Sequence, residues 1–364
     1  MILKKMKLNT EKINKILERL IVFVNKKEVV LITSIFLIVW MTLYLILFTP
    51  NYFDKSSPVK FEINKGETLN SIVNRLYDVG IVQNKINMFL ACYIYGAQNK
   101  LRTARYYIPN GLSYLDLVDL FTKGKADFLR QVNIRDGLSL KWMAYVLKNK
   151  IFIDSTSFIN LSFDKHFIRS MGLRKNSLEG FLMPGEYEFY ERSTAKEVIK
   201  KMYKSFKKFI ADSLWEQTKK SKYSFEQVVI LASIVKGETN LKEEMPIIAS
   251  VYLNRLRIGM KLQADPTIQY LQKNGWKRLL YEDLKINSPY NTYKYAGLPP
   301  GPINNPGKTA ILAVLYPAKT SFLYFVANGE GGHNFSRSYN QHLRNVKIFR
   351  RWVKHQKRKA KQKS

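Results

Sequence analysis

Cysteine is almost absent from this 364-residue chain. Cys92 stands alone, which excludes an intrachain disulfide framework and a cysteine-based zinc site. Histidine is scarce too. His166, His333, His342 and His355 show no metal-ligand spacing, so neither a metal nor a cofactor is expected. The chain has no G-x-S-x-G, no H-E-x-x-H and no G-x-G-x-x-G. Pro306-Gly-Lys-Thr309 resembles the end of a phosphate loop. Gly301, however, stands six residues before Gly307, one too many, and the run carries Pro302 and Pro306. Acidic residues are few: 28 against 60 Lys and Arg, a formal charge of +32. No aromatic RNP motif, C2H2 finger or helix-turn-helix accompanies that charge, so a nucleic-acid partner is not expected.

Apolar residues, by contrast, make up an ordinary 46%, which excludes wholesale disorder. The length suits two or three folded units. The charge is unevenly placed. Residues 1–28 form a basic tail of +5, residues 344–364 contribute +10 without one acid, and the remainder carries +17. That remainder is also rich in Ile, Asn, Tyr and Phe, a composition that names no ligand.

One long apolar run exists. Val29–Phe48 passes twenty residues without a charge, about 30 Å of helix at about 1.5 Å per residue, which matches a bilayer core. The segment 29–49 is therefore expected to span a membrane. It is too long for a secretory leader, and TPNYFDKSS offers no small-x-small cleavage site. Eight Lys and Arg precede it, so the N-terminus is expected in the cytoplasm and everything after about Asn51 outside.

Beyond Pro58 a pattern recurs three times: KGETLNSIVNRL at 65–76, NGLSYLDLVDLF at 110–121 and DGLSLKWMAYVL at 136–147. Each is a Gly turn, a Ser or Thr, then apolar residues at helical spacing. An extended stretch precedes each: 59–63, 104–108 and 130–134. Further on, 178–190 reads as a Pro-Gly turn and a strand, 224–235 as an apolar helix, and 245–256 as a helix opened by Pro246. Residues 287–307, with five prolines, read as a structured loop, and 320–327 as a buried strand. The expected class is α+β behind a single N-terminal transmembrane helix. Its expected divisions are 58–172, 173–350 and a basic tail at 351–364.

The apolar helix ends in a carboxylate, in ILASIVKGET (230–239). A Glu emerging from such a helix is partly desolvated, which raises its pKa towards the range of a general acid. Taken alone, a Glu at a helix end is most often simply solvated.

Four segments give Glu238 its weight. ILASIVKGET, VYLNRLRIGMKLQADPTIQY, SPYNTYKYAGLPPGPINNPG and LYFVANGEGGHNF follow one another as the motifs of the YceG-like endolytic murein transglycosylases do. The resemblance extends upstream through LEGFLMPGEYEFY and, weakly, to KGETLNSIVNRL, which is similar to the family's LysM-like subdomain. It implies that 58–172 holds a LysM-like and connecting region and 173–350 the catalytic domain. It further implies an enzyme of the inner membrane that cleaves the MurNAc–GlcNAc β-1,4 bond of nascent peptidoglycan, leaving 1,6-anhydroMurNAc ends and limiting strand elongation. Its partners would be glycan strands, the membrane and, through the family, a peptidoglycan synthase complex.

The second Glu of the family's E-K-E-T signature falls on Glu238, the implied catalytic residue. Lys236 and Gly237 replace the two residues before it, and Gly185-Glu186 depart from the usual Asp-Thr. The resemblance also brings Gln263, Asp265, Asn291, Thr292 and Tyr293 to a substrate cleft, with His333 after a Gly-rich loop. Amides and hydroxyls there would bond sugar hydroxyls while a ring packs on the sugar face. Asp265 would either stabilise the oxocarbenium-like state or cap the turn before Pro266, and Tyr293 is equally suited to the core. Because Lys236 replaces a carboxylate, a non-catalytic peptidoglycan-binding or scaffold protein of the same fold is the alternative.

Overall fold

A computed structural model describes residues 26–54, 56–214, 217, 221–272, 275 and 277–363. Most of the N-terminal basic tail, residues 1–25, lies outside the described residues. The chain forms two compact units, the first ending at Phe128 and the second beginning at Leu129.

The first unit opens with helix α1 (Lys26–Phe48), long and apolar enough to cross a membrane, its apolar side chains exposed along most of its length. Its final turn is different. Leu47 is buried in the core of the unit, as is Phe53 just beyond. Two short strands, β1 (Pro50–Asn51) and β4 (Leu112–Ser113), pair there. The expected turn-and-helix pattern is present. Strand β2 (Val59–Ile63) turns at Gly66 into α2 (Leu69–Asp78), and β3 (Ala104–Ile108) turns at Gly111 into α4 (Tyr114–Thr122). Both glycines have positive φ, which suits a residue without Cβ. Both helices are capped by their own sequence: Thr68 accepts from Ser71 N, and Ser113 forms a capping box with Asp116. Between them, α3 (Lys85–Ile94) covers the same core. Strands β2 and β3 pair antiparallel over their full length, Val59 opposite Ile108.

Strand β5 (Asp127–Ile134) closes the first unit, with Asp127 and Phe128 paired to β3, and opens the second. In the second unit its residues 129–134 pair antiparallel with β6 (Gly185–Tyr190), Leu129 opposite Tyr190. The third repeat follows: a Gly137 turn, then α5 (Leu140–Ile151), with α6 (Ser155–Phe163), α7 (Lys165–Ser170) and α8 (Ala195–Ser213) beside it. A second core is built around α9 (Phe225–Glu238). The expected apolar helix is present, and every residue from Val228 to Val235 is buried, because α10 (Met245–Arg257), α11 (Asp265–Tyr270) and α12 (Lys308–Leu315) pack around it. Strands β7 (Tyr324–Ala327) and β8 (His333–Ser336) form a hairpin, shorter than the run 320–327 suggested. The chain ends in the basic helix α13 (Tyr339–Lys363).

Candidate active site

Helix α9 is opened by a capping box between Ser224 and Gln227 and runs through the core to its last residue, Glu238. Its C-terminal end meets a cleft of about 910 Å³, lined among others by Glu238, Asp265, Glu179, Trp142, Tyr270 and Asn304. That volume suits a small-molecule or oligomer site. Glu238 is partly buried there. The Tyr252 hydroxyl, from the neighbouring α10, donates to Glu238 Oε1 at 2.5 Å. Burial pushes the Glu238 pKa up to about 7; the nearby Asp265 charge adds to the rise, while the Tyr252 bond and the Arg255 charge oppose it. Tyr252 itself is fully buried, its ring edge-on to Phe325 at 5.8 Å. Burial, followed by the Glu238 charge and hydrogen bond, holds its hydroxyl well above the usual phenol range, so it remains a donor.

Arg255 is only 7% exposed and is held by backbone. Its Nε donates to Leu323 O at 2.6 Å and its Nη1 to Leu262 O at 2.5 Å. A buried guanidinium so fixed supplies a stationary positive charge near Glu238 and Tyr252.

Lys236 does not reach the carboxylate. Its ammonium donates to Asn240 Oδ1 at 2.5 Å, and its stem packs against the Gly137 turn. Burial lowers its pKa, with the Asp136 charge acting in the opposite direction. The forces that set the Glu238 pKa come from burial, Tyr252, Asp265 and Arg255. Lys236 is thus not among the groups that raise or lower it.

Asp265 is exposed at the start of α11, and its Oδ1 accepts from the Tyr293 hydroxyl at 2.5 Å. Gln263 is exposed beside it in a left-handed backbone conformation, its N–H bonded to Thr292 O. Asn291 and Thr292 do something other than the expected sugar contact, because both are buried with their polar atoms committed. Asn291 Nδ2 donates to Leu284 O and Ile286 O, and its Oδ1 accepts from Tyr293 N and Lys294 N. Thr292 Oγ1 accepts from Ala264 N and pairs with Thr267 Oγ1. These two residues hold the loop that presents Tyr293 to Asp265. His333 likewise faces Glu244 rather than the cleft: its Nδ1 lies 2.7 Å from Glu244 Oε2, and its N–H donates to Glu244 Oε1. That pair pins the β7–β8 hairpin to the turn after Glu238, where Thr239 also reaches Glu244.

Residues 61–348 match the YceG-like family, about four-fifths of the chain. This protein belongs to the YceG-like family. Among its relatives is the endolytic murein transglycosylase of Bacillus subtilis, 30% identical over 304 residues, covering 79% of this chain and 84% of the relative. The endolytic murein transglycosylase of Streptococcus pneumoniae strain R6 is 30% identical over 317 residues, and the match spans 57% of that longer protein. A crystal structure of a putative yceG-like protein from Listeria monocytogenes superposes with a TM-score of 0.55 at 29% identity, covering 80% of this chain and 99% of that one. Family membership accounts for the segments that the sequence linked. Trp142, Glu179, Tyr252 and Asn304 were not singled out as site residues in the sequence. Glu179, Tyr252 and Asn304 do lie inside the linked segments LEGFLMPGEYEFY, VYLNRLRIGMKLQADPTIQY and SPYNTYKYAGLPPGPINNPG, while Trp142 lies outside them.

Proposed function

We propose that this YceG-like chain is an endolytic murein transglycosylase, cutting the MurNAc–GlcNAc β-1,4 bond of peptidoglycan with formation of a 1,6-anhydroMurNAc end. The observation that carries the reading is a cleft carboxyl, Glu238, with a pKa raised to about 7 and one oxygen already occupied by Tyr252. With Oε1 accepting from Tyr252, the acidic proton resides on Oε2. It passes to the departing GlcNAc O4 as the C1–O4 bond breaks. Positive charge develops at C1 and the ring oxygen, and the Asp265 carboxylate in the same cleft stabilises it. The C6 hydroxyl of the same MurNAc then closes on C1 and returns its proton to Glu238. One carboxyl serves as acid and then base, and no water is consumed. The paired-carboxylate arrangement of most glycosidases is therefore not required.

The N-terminal helix is assigned to the bacterial cytoplasmic membrane as a single span. The eight basic residues before it favour a cytoplasmic N-terminus, with the chain after about Asn51 outside, beside newly made strands and the synthases that make them.

Glu238→Gln keeps the size of the side chain and an acceptor for Tyr252 but cannot give up a proton. The full-length protein in detergent should lose anhydro-muropeptide formation by at least about a thousandfold, with thermal stability retained. Mass spectrometry of digested glycan strands provides the measure. Wild-type-like anhydro products from this variant would remove Glu238 from its role. Strands bound but left uncut by the wild-type protein would place the chain among wall-binding proteins instead.

A further inference from the structure

Helix α5 turns its Leu140, Met143, Ala144, Leu147 and Ile151 side to the core, which leaves Trp142 on the other side, 46% exposed. An exposed tryptophan on a helix needs no explanation by itself, but this one lines the same cleft as Glu238. Tyr145 meets its ring edge-on at 5.8 Å, with 82° between the planes, which restrains the indole while leaving much of it bare. Among the described residues its indole N–H has no hydrogen-bond partner. Ile159 and Phe163 of α6 extend the apolar lining beside it. The cleft therefore combines an aromatic face and a free donor with an acid, which is the chemistry that meets a pyranose through its C–H face and its hydroxyl or acetamido oxygen.

A buried chain of hydrogen bonds fixes this platform relative to the acid. Ser233, one turn before the end of α9, accepts from Ile303 N at its hydroxyl and from Asn304 Nδ2 at its carbonyl. Asn305, the next residue, donates to Glu179 Oε1 at 2.8 Å and accepts from Gly180 N and Leu182 N. Glu179 in turn accepts from Leu140 N at 3.0 Å, holding the first turn of α5, the turn that carries Trp142.

We propose that Trp142 is a sugar-stacking platform of the Glu238 cleft, seating an N-acetylated pyranose of the glycan strand at a distance set by the hydrogen bonds that join Ser233 to Ile303 and Asn304, and Asn305 through Glu179 to Leu140. This rests on the glycan-cleaving reading of the cleft. Trp142 touches substrate and determines binding, and it takes no part in proton transfer.

The test uses the full-length protein in detergent, uncrosslinked glycan strands, and Trp142→Leu, Trp142→Phe and Trp142→Tyr. Leu keeps an apolar side chain of moderate size without a π face. Trp142→Leu should weaken strand binding about tenfold or more in the Glu238→Gln background and raise KM comparably in the active enzyme. The pH profile and melting temperature should stay at their wild-type values. Phe and Tyr should recover most of the affinity. Unchanged binding and KM in Trp142→Leu, with cleavage proceeding, would overturn the platform alone. Equal losses for Leu, Phe and Tyr would also overturn it, since a stacking face tolerates another ring. If no variant, nor the wild type, produces anhydro ends while strand binding still follows Leu against Phe, the platform stands and the catalytic reading falls.

Discussion

The three glycine turns followed by helices look alike in sequence, yet the third is held differently from the first two. In α2 and α4 the cap is local: Thr68 and Ser113 bond the N–H groups three residues on, and each helix start is complete in itself. In α5 the corresponding Ser139 makes no such bond. A carboxyl from Glu179, thirty-nine residues further along, takes the Leu140 N–H instead, and Asn305 holds that carboxyl. A local cap makes a helix. A distant cap ties a helix to something, here the loop that is itself bonded to the helix carrying Glu238. The same motif is thus used twice for folding and once for placing a cleft wall.

Removing the distant tie should cost most. Asn305→Leu strips two backbone N–H groups and Glu179 of their partner, all buried, and should destabilise the protein by about 3–4 kcal/mol in urea unfolding, with kcat/KM falling beyond what the folded fraction explains. A loss under about 1 kcal/mol would mean that α5 is held by packing alone.

The next effect is on pH. Burial raises the pKa of Glu179 to about 8, the hydrogen bonds from Leu140 N and Asn305 opposing, and that of Glu238 to about 7, both above the ordinary 4.5. Between pH 4.5 and 8 the folded chain then binds more protons than the unfolded one, so stability falls as pH rises through that window. The expected decline from pH 5 to 8.5 is of order 1–3 kcal/mol. Glu179→Gln, which keeps an acceptor for Leu140 N, should flatten most of it. Activity should fall separately above about pH 7, as the Glu238 proton is lost. An unchanged stability slope in Glu179→Gln would show that Glu179 is ionised in the fold.

The smallest effect separates the two kinds of cap most cleanly. Ser113→Ala should cost about 1 kcal/mol, and Ser139→Ala a few tenths at most, because only the first serine makes a cap bond. Equal losses by chemical denaturation would erase the distinction.

Local features were legible in the sequence. The apolar run at 29–48, the turn-and-helix pattern and the helix leading to Glu238 each follow from periodicity and capping residues within a dozen positions. What depends on distant partners was not. Asn291 and Thr292 carry groups that suit sugars, and no neighbour in the chain reveals that Leu284, Ile286 and Ala264 use them up. His333 has the same history with Glu244. Trp142 reads as one more apolar residue in a helix, since only the third dimension shows that its side of the helix faces a cleft. Lys236 was legible as a departure, but not its direction, which depends on Asn240 and the Gly137 turn.

Gly237 bears on how this family's signature varies. A Cβ at that position would come within 2.5 Å of Pro266 Cβ, directly after Asp265. The family's lysine at this site could not be restored without displacing the segment that brings the second carboxylate into the cleft. Position 237 and the Asp265–Pro266 turn are thus tied to one another: any side chain added at 237 takes room that Pro266 now fills.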